Sequence, residues 1–261
     1  KSLTPASIIV RGVASVAWRI ASLALFLALW QVAAAASASH LLPTPAAVAA
    51  RIAQDVASGA LLYHLLHTLA RVVAAFVLAM ALGAALGLAM GRSLWIDRIA
   101  DPWLILLLNL PALVVIVLAY VWVGLNEVAA IGAVALNKLP NAIVGMREGA
   151  RALDAQYDEL AQVYRLSAAA RLRHILAPQL APYFAATARS GLSLVWKIVL
   201  VVELIGRPNG VGFQMNVAFQ LFDIALLLAY ALPFVAVMLL IEIVLVQPFE
   251  RRVSRWRARA A

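Results

Sequence analysis

Residues 68–90 read TLARVVAAFVLAMALGAALGLAM, an almost uninterrupted apolar run in which Arg71 is the one charged side chain. A helix that crosses a bilayer needs about 20 mostly apolar residues, so this stretch sets the fold class. The rest of the chain repeats it. Of 261 residues, 65% are hydrophobic and 13% are charged, well under the roughly 25% charged in soluble domains. Five further blocks of span length stand at about 16–36, 103–124, 128–147, 183–206 and 225–247. The expectation is an all-α integral membrane protein, one domain over residues 1–261, with six transmembrane helices. The block 128–147 is interrupted by Asn137, Lys138, Pro140 and Asn141, which predicts irregular backbone lined by protein rather than lipid. The first block is too long for the apolar core of a cleaved signal, about 7–15 residues, and is expected to be retained.

Lysine and arginine orient the spans. With the N-terminus inside, Lys1, Arg11, Arg19, Arg92, Arg98, Arg147, Arg151, Arg165, Arg171, Arg173, Arg251, Arg252, Arg255, Arg257 and Arg259 fall on the inner side. The outer loops keep Arg51 and Arg207, with Arg71 near an outer helix end. This bias predicts both termini in the cytoplasm. The net charge of +9 is explained by these flanks, and nucleic acid is not expected as a partner.

Working outward along the chain, the outer segment 43–66 opens with Pro43-Thr44-Pro45 and spaces Val48, Ile52, Val56 and Leu61 as an amphipathic helix on the outer surface. Gly83, Gly87 and Gly91 form overlapping GxxxG steps that permit close backbone approach, within the subunit rather than at a dimer seam. Intramembrane polar groups are costly and mark cavities or partners. Asn109, Asn137, Lys138, Trp196 and Lys197 are the candidates for a solute pathway, and their cationic excess suits an anion. Snorkelling and a structural Lys–Glu pair are the plainer reading, the one favoured for Arg189 and Glu203. His64 and His67 lack a third ligand for a metal site, and an interfacial polar role suits them better. Cysteine is absent, and no catalytic triad, acid–base pair or phosphate loop is present. The chain is not expected to be an enzyme, to hold a cofactor or to bind a metal.

One stretch breaks the apolar pattern. Residues 147–182 place Asp154, Asp158 and Glu159 early and Arg165, Arg171, Arg173 and His174 late, the order a helix macrodipole favours. Pro178 and Pro182 are expected to end that helix before the fifth span. The segment is either a docking surface for a soluble partner or a solvated loop helix.

It resembles the EAA loop of ABC importer permeases, in which Glu-Ala-Ala is followed by Gly after three residues and by Ile-x-Leu-Pro after nine more. Glu159, Ala161, Ile175 and Pro178 match this pattern, while Arg165 stands at the usual Gly and Ala177 at the usual Leu. An arginine there tolerates a left-handed turn poorly. Leu42-Pro43-Thr44-Pro45, His67-Thr68-Leu69-Ala70-Arg71, Asn109-Leu110-Pro111-Ala112 and Glu203-Leu204-Ile205-Gly206 with Gly210-Val211-Gly212 extend the likeness to the nitrate/sulfonate/taurine group. The resemblance implies a type I, MetI-like permease core with cytoplasmic coupling helices between helices four and five. It implies coupling through Asp154, Asp158, Glu159, Leu160, Ala161, Tyr164, Arg165 and Ser167. It further implies a homodimer, two copies of a cytoplasmic ABC ATPase that bind ATP and magnesium, and a periplasmic solute-binding protein. The solute is expected to be a small anion. The competing class, a secondary transporter or channel without an ATPase, would show broken helices in matching halves; Pro140 has no counterpart in the first three spans.

Overall fold

A computed structural model describes residues 5–37, 39 and 41–254. Every regular element among them is helical. In chain order they are α1 (Pro5–Ser37), α2 (Pro45–Ala57), α3 (Ala60–Arg92), α4 (Leu94–Asn109), α5 (Ala112–Val123), α6 (Glu127–Arg151), α7 (Ala155–Val163), α8 (Ala168–Arg171), a π-turn (Leu172–Leu176), α9 (Ala177–Gly206), α10 (Val211–Gln220), α11 (Ile224–Ile241), a second π-turn (Glu242–Val246) and α12 (Gln247–Ser254). Among the described residues, three helices are long and apolar enough to cross a membrane: Ala60–Arg92, Glu127–Arg151 and Ile224–Phe249. A fourth crossing exists if the bent pair α4 and α5 counts as one. The apolar part of α1, Ala21–Ser37, is shorter. Its Leu23, Phe26, Leu27 and Val32 are exposed on several sides, as suits a helix surrounded by lipid. Lys1, Arg255, Arg257 and Arg259 lie outside the described residues.

The core is the packing of α3, α6 and α9 on one another. Val72, Ala75, Ala79, Val134, Val199 and Val202 meet there, fully or almost fully buried. The glycine stripe of α3 makes the close approach possible. A Cβ added at Gly87 would stand 2.6 Å from the Ile143 carbonyl oxygen and 2.7 Å from the Met146 Cβ. The stripe thus works within the subunit, as its spacing suggests. Gly132 of α6, by contrast, has nothing within 4 Å of an added Cβ. Gly87→Ala should therefore lower the thermal midpoint in detergent, since backbone must move apart at a cost of about 1–3 kcal/mol. Gly132→Ala should leave it unchanged or raise it, by up to about 1 kcal/mol of helix propensity. Equal effects at both positions would show that the α3–α6 contact is slack.

A second layer of α2, α10 and α11 closes around Leu61, Val211, Ala218, Tyr230 and Phe234. At the opposite end, Arg147 bonds Asp101 at 2.6 Å and Asp97 at 3.2 Å, and Arg151 bonds Asp97 at 2.6 Å. These pairs fasten the start of α4 to the end of α6.

Three expectations fail, each for a local reason, and the block 103–124 is bent: α4 and α5 meet at 99°. Pro111 offers no N–H and pushes Leu110 out of helical geometry, to φ −72°, ψ 126°. The block 128–147 is not irregular. Alpha-6 runs unbroken through a buried Pro140, and the Asn137 amide donates to its own helix at the Ala133 carbonyl, 2.9 Å. Segment 43–66 is two helices, divided at Gly59 with φ +78°. Val48 is buried and Ile52 packs inward, while Leu61 belongs to α3 and Val56 stays exposed. Pro178 and Pro182 do not end a helix: α8, the π-turn and α9 are continuous from Ala168 to Gly206. The i→i+5 bond from the Ala177 amide to the Leu172 carbonyl widens the turn just before Pro178, which accommodates the ring and the missing donor. The same device precedes Pro248, where Gln247 N–H bonds the Glu242 carbonyl.

Candidate functional site

The most elaborate polar construction joins α3, α6 and α9 at the end of the bundle that carries α2 and α10. Arg71 is 3% exposed and Glu203 is fully buried. The Arg71 Nη1 donates to Glu203 Oε1 at 2.6 Å and to the Asn209 carbonyl at 2.9 Å. Its Nε and Nη2 donate to the two oxygens of Glu127 at 2.8 and 2.6 Å, a bidentate pair, and Nη2 also reaches Asn209 Oδ1. Arg207 donates to Glu127 at 2.6 Å. The second oxygen of Glu203 accepts from the Thr68 hydroxyl at 2.8 Å and from the Gly212 amide at 2.9 Å.

The loop 207–212 folds over this carboxylate because of its glycines. Gly210 has φ +110° and an added Cβ would overlap the Glu203 carboxyl group. Thr68 Oγ1 accepts the Val211 N–H at 2.8 Å, His64 Nδ1 accepts the Gly210 N–H at 3.0 Å, and the Gln214 side-chain amide meets His64 Nε2 at 2.8 Å. Two segments that carry the family likeness, 67–71 and 203–212, thus meet in one place. The structure corrects the expectation for Glu203. It is fully buried and pairs with Arg71, not with a lysine. Arg71 is a buried hub rather than a helix-end cation. No group of three metal-ligating side chains exists among the described residues.

The other end holds the polar loop as two short helices. Asp154 opens α7, its Oδ1 accepting from Gln156 N–H at 2.9 Å, while its own N–H donates to Gln179 Oε1 at the base of α9, 3.1 Å. Ala161 is 4% exposed. On the outside of α7, Tyr157, Leu160, Val163 and Tyr164 are 48–78% exposed. Residues 157, 160 and 164 share one helical face. Glu159 is also exposed, on a different side. The side chain of Asp158 is not among those described.

Arg165 adopts the left-handed conformation, φ +46°, that the family pattern assigns to Gly. The Leu166 N–H bonds the Ala161 carbonyl at 2.9 Å, the signature of a Schellman end. Ser167 then caps α8 by accepting from Ala170 N–H at 3.2 Å. The turn survives the missing glycine. A left-handed L-residue costs roughly 1–2 kcal/mol, partly offset in Gly by its freer unfolded chain. Arg165→Gly should therefore slow amide exchange across 155–171 by roughly two- to fivefold, read by mass spectrometry. Faster exchange would mean that the arginine side chain holds the turn.

The pathway candidates do not converge. Asn109 is exposed and donates to the Ile105 carbonyl at 2.8 Å, and Asn137 is satisfied within its own helix. Lys197 is exposed and lies 5.7 Å from the centre of the Trp196 ring. Trp196 packs edge-on against Phe234 at 5.7 Å and borders a cavity of about 460 Å³ between α9 and α11. Lys138 is 1% exposed. Arg189, placed by sequence near an interface, pairs with Glu242 at 3.2 Å on the rim of that cavity.

The family model described as "binding-protein-dependent transport system inner membrane component" matches residues 79–255. The chain is 34% identical over 188 residues to an aliphatic sulfonates transport permease protein of Escherichia coli strain K12, covering 71% of this chain and 72% of that one. It is 28% identical over 236 residues to the protein of the same designation from Bacillus subtilis strain 168, covering 90% and 85%. It is 31% identical over 239 residues to a riboflavin transport system permease protein of Chloroflexus aurantiacus, covering 91% and 89%. Permeases of this kind work with an ATPase and a solute-binding protein. An all-helical apolar bundle, the likeness carried by segments 67–71 and 203–212, and a match over most of the length lead to one assignment: the chain belongs to the binding-protein-dependent inner-membrane transport components, as an ABC importer permease of the sulfonate-like group and not an enzyme.

Proposed function

We propose that this chain is the membrane-spanning subunit of an ATP-driven importer for a small organic anion of the alkyl sulfonate kind. It crosses the membrane six times, through α1, α3, the bent pair α4–α5, α6, α9 and α11. The α7 end faces the cytoplasm, as the arginine bias requires. Two copies enclose the pathway, and each takes one ATPase. The observation that carries this reading is the uncovered apolar face of α7, Tyr157, Leu160 and Tyr164, on a helix fixed at both ends. A helix offering apolar anchors at i, i+3 and i+7 is the form that fits a partner's groove.

The coupling is mechanical. Asp154 ties α7 to the base of the helix that runs from Ala168 to Gly206, and α7 rests on that helix's π-turn; the helix is about 58 Å long at 1.5 Å per residue. Its far end is held by Glu203 against Arg71. A push on α7 therefore tilts a rod clamped at the opposite face, and alternating access follows from that tilt. Purification of the tagged chain in mild detergent with its neighbouring genes' products, followed by an ATPase assay, tests the reading. A stoichiometric ATP-binding subunit is expected. A homo-oligomer that transports without one would overturn it.

A further inference from the structure

We propose that Lys138 is the specificity-determining charge of a solute site in the cavity between α9 and α11, and that this site takes a small anion with an apolar tail. The proposal rests on the importer reading above.

Lys138 sits in the middle of α6, buried, and an ammonium carries three donors. Among the described residues its one hydrogen bond is a long one, 3.4 Å to the Thr187 carbonyl, and it has no ion-pair partner. An uncompensated cation at membrane depth destabilises a fold. A methionine of similar shape would fill the same space without that cost, so the charge is retained for something other than packing.

Its position says what. The lysine head lies against α9 at Gly191, where an added Cβ would overlap its Cε and Nζ. The absent side chain lets the ammonium reach the backbone of α9 itself. On that backbone the same Thr187 carbonyl accepts a second bond, from the Ser190 hydroxyl at 3.1 Å. Ser190 lines the cavity. One peptide carbonyl thus separates the buried ammonium from the cavity wall.

The cavity is matched to such a ligand. Its volume of about 460 Å³ falls within the roughly 300–1,000 Å³ of small-molecule sites. Trp196, Leu192, Met238 and Leu239 give it an apolar side, and the Ser190 and Ser193 hydroxyls give it a polar one. The ionised groups on its rim, Arg189 and Glu242, neutralise each other. Beyond that pair, Lys138 is the cation that shares a carbonyl with the serine side of the cavity. A single anionic head at the serines, with an alkyl body along Trp196 and Leu239, satisfies both sides. A neutral solute gains nothing from the lysine.

The experiment uses the whole importer, permease with its ATPase and binding protein, reconstituted in liposomes. The probes are labelled butanesulfonate and, as the uncharged comparison, riboflavin. Lys138→Met should lower ATP-dependent butanesulfonate uptake at least tenfold while the variant still copurifies with its ATPase subunit. Its thermal midpoint should be equal or higher, because a buried charge is gone; a purely structural lysine would lower both. Leu239→Trp, which fills the cavity from α11, should also lower butanesulfonate uptake. Parental butanesulfonate uptake by Lys138→Met would overturn the proposal and leave the importer reading intact, whereas a parent that carries riboflavin and not butanesulfonate would overturn the proposed solute as well. Failure of that reading shows separately, as absence of the ATPase from the purified complex.

Discussion

Arg71→Met should cost the protein several kcal/mol of stability, the largest loss expected from any single side chain. The variant leaves Glu203 buried and ionised with only the Thr68 hydroxyl and the Gly212 amide for company. Removing one partner of a buried pair typically costs about 3–5 kcal/mol, because the remaining charge is uncompensated. Glu127 suffers less, since its carboxylate is half exposed and keeps Arg207. The consequence is read as a lower thermal midpoint in detergent and faster proteolysis in the loop 207–212, which loses its bonds from Arg71 to Asn209. The double variant Arg71→Met, Glu203→Gln should regain at least half of the loss. A neutral amide oxygen still accepts from Thr68 and Gly212, and the coupling of such contacting residues is about 0.5–3 kcal/mol. No recovery would mean that Arg71 acts through packing of its stem rather than through charge. If transport falls in the double variant while stability returns, the clamp at the end of α9 also serves the tilt proposed for that rod.

The membrane class was legible in the sequence, because span-length apolar blocks have few other uses. The GxxxG stripe announced its own packing, since small residues at period four have one geometric consequence. The breaks were less legible. Pro111, Pro140, Pro178 and Pro182 look alike in a sequence, yet Pro111 breaks a helix sharply while the other three are absorbed. The difference lies in what satisfies the freed carbonyl, and that is a property of neighbours or of a π-turn, not of the proline. The Arg71–Glu203 pair was hidden for a similar reason. Its members are 132 residues apart, and a lone glutamate near a helix end has a cheaper explanation. The signal available was the pairing of a polar run at 67–71 with a glycine-rich loop at 206–212, since glycines gathered beside a carboxylate leave room for backbone donors. The pathway candidates were chosen by residue type alone. Lys138 alone among them lacks a local partner, which is why it carries the proposal made for it.

Leu160→Asp should detach the ATPase while the permease still folds. Leu160 is 48% exposed in the middle of the α7 stripe, so an aspartate there disturbs nothing inside the subunit. In a partner's groove it would place a charge where an apolar anchor belongs. Central anchors of this kind are worth 2 kcal/mol or more, which corresponds to at least roughly thirtyfold weaker association. The complex should fall apart on a sizing column, and transport should cease although the permease remains in the membrane. Glu159→Lys should do less. Glu159 stands on another face of α7, and a rim charge contributes about 1 kcal/mol or less at an exposed site. Its effect should appear as slower, salt-sensitive association with partial uptake. A charge at Ala161 belongs to a third class. Ala161 is buried against the body of the subunit, so Ala161→Glu should loosen α7 itself and speed amide exchange over 155–166 before any partner is added. The three variants separate anchor, rim and scaffold by different observables. If Glu159→Lys strips the ATPase while Leu160→Asp keeps it, the partner grips the charged side of α7, and the tyrosine–leucine face must then be sought by lipid or by a second copy of the chain.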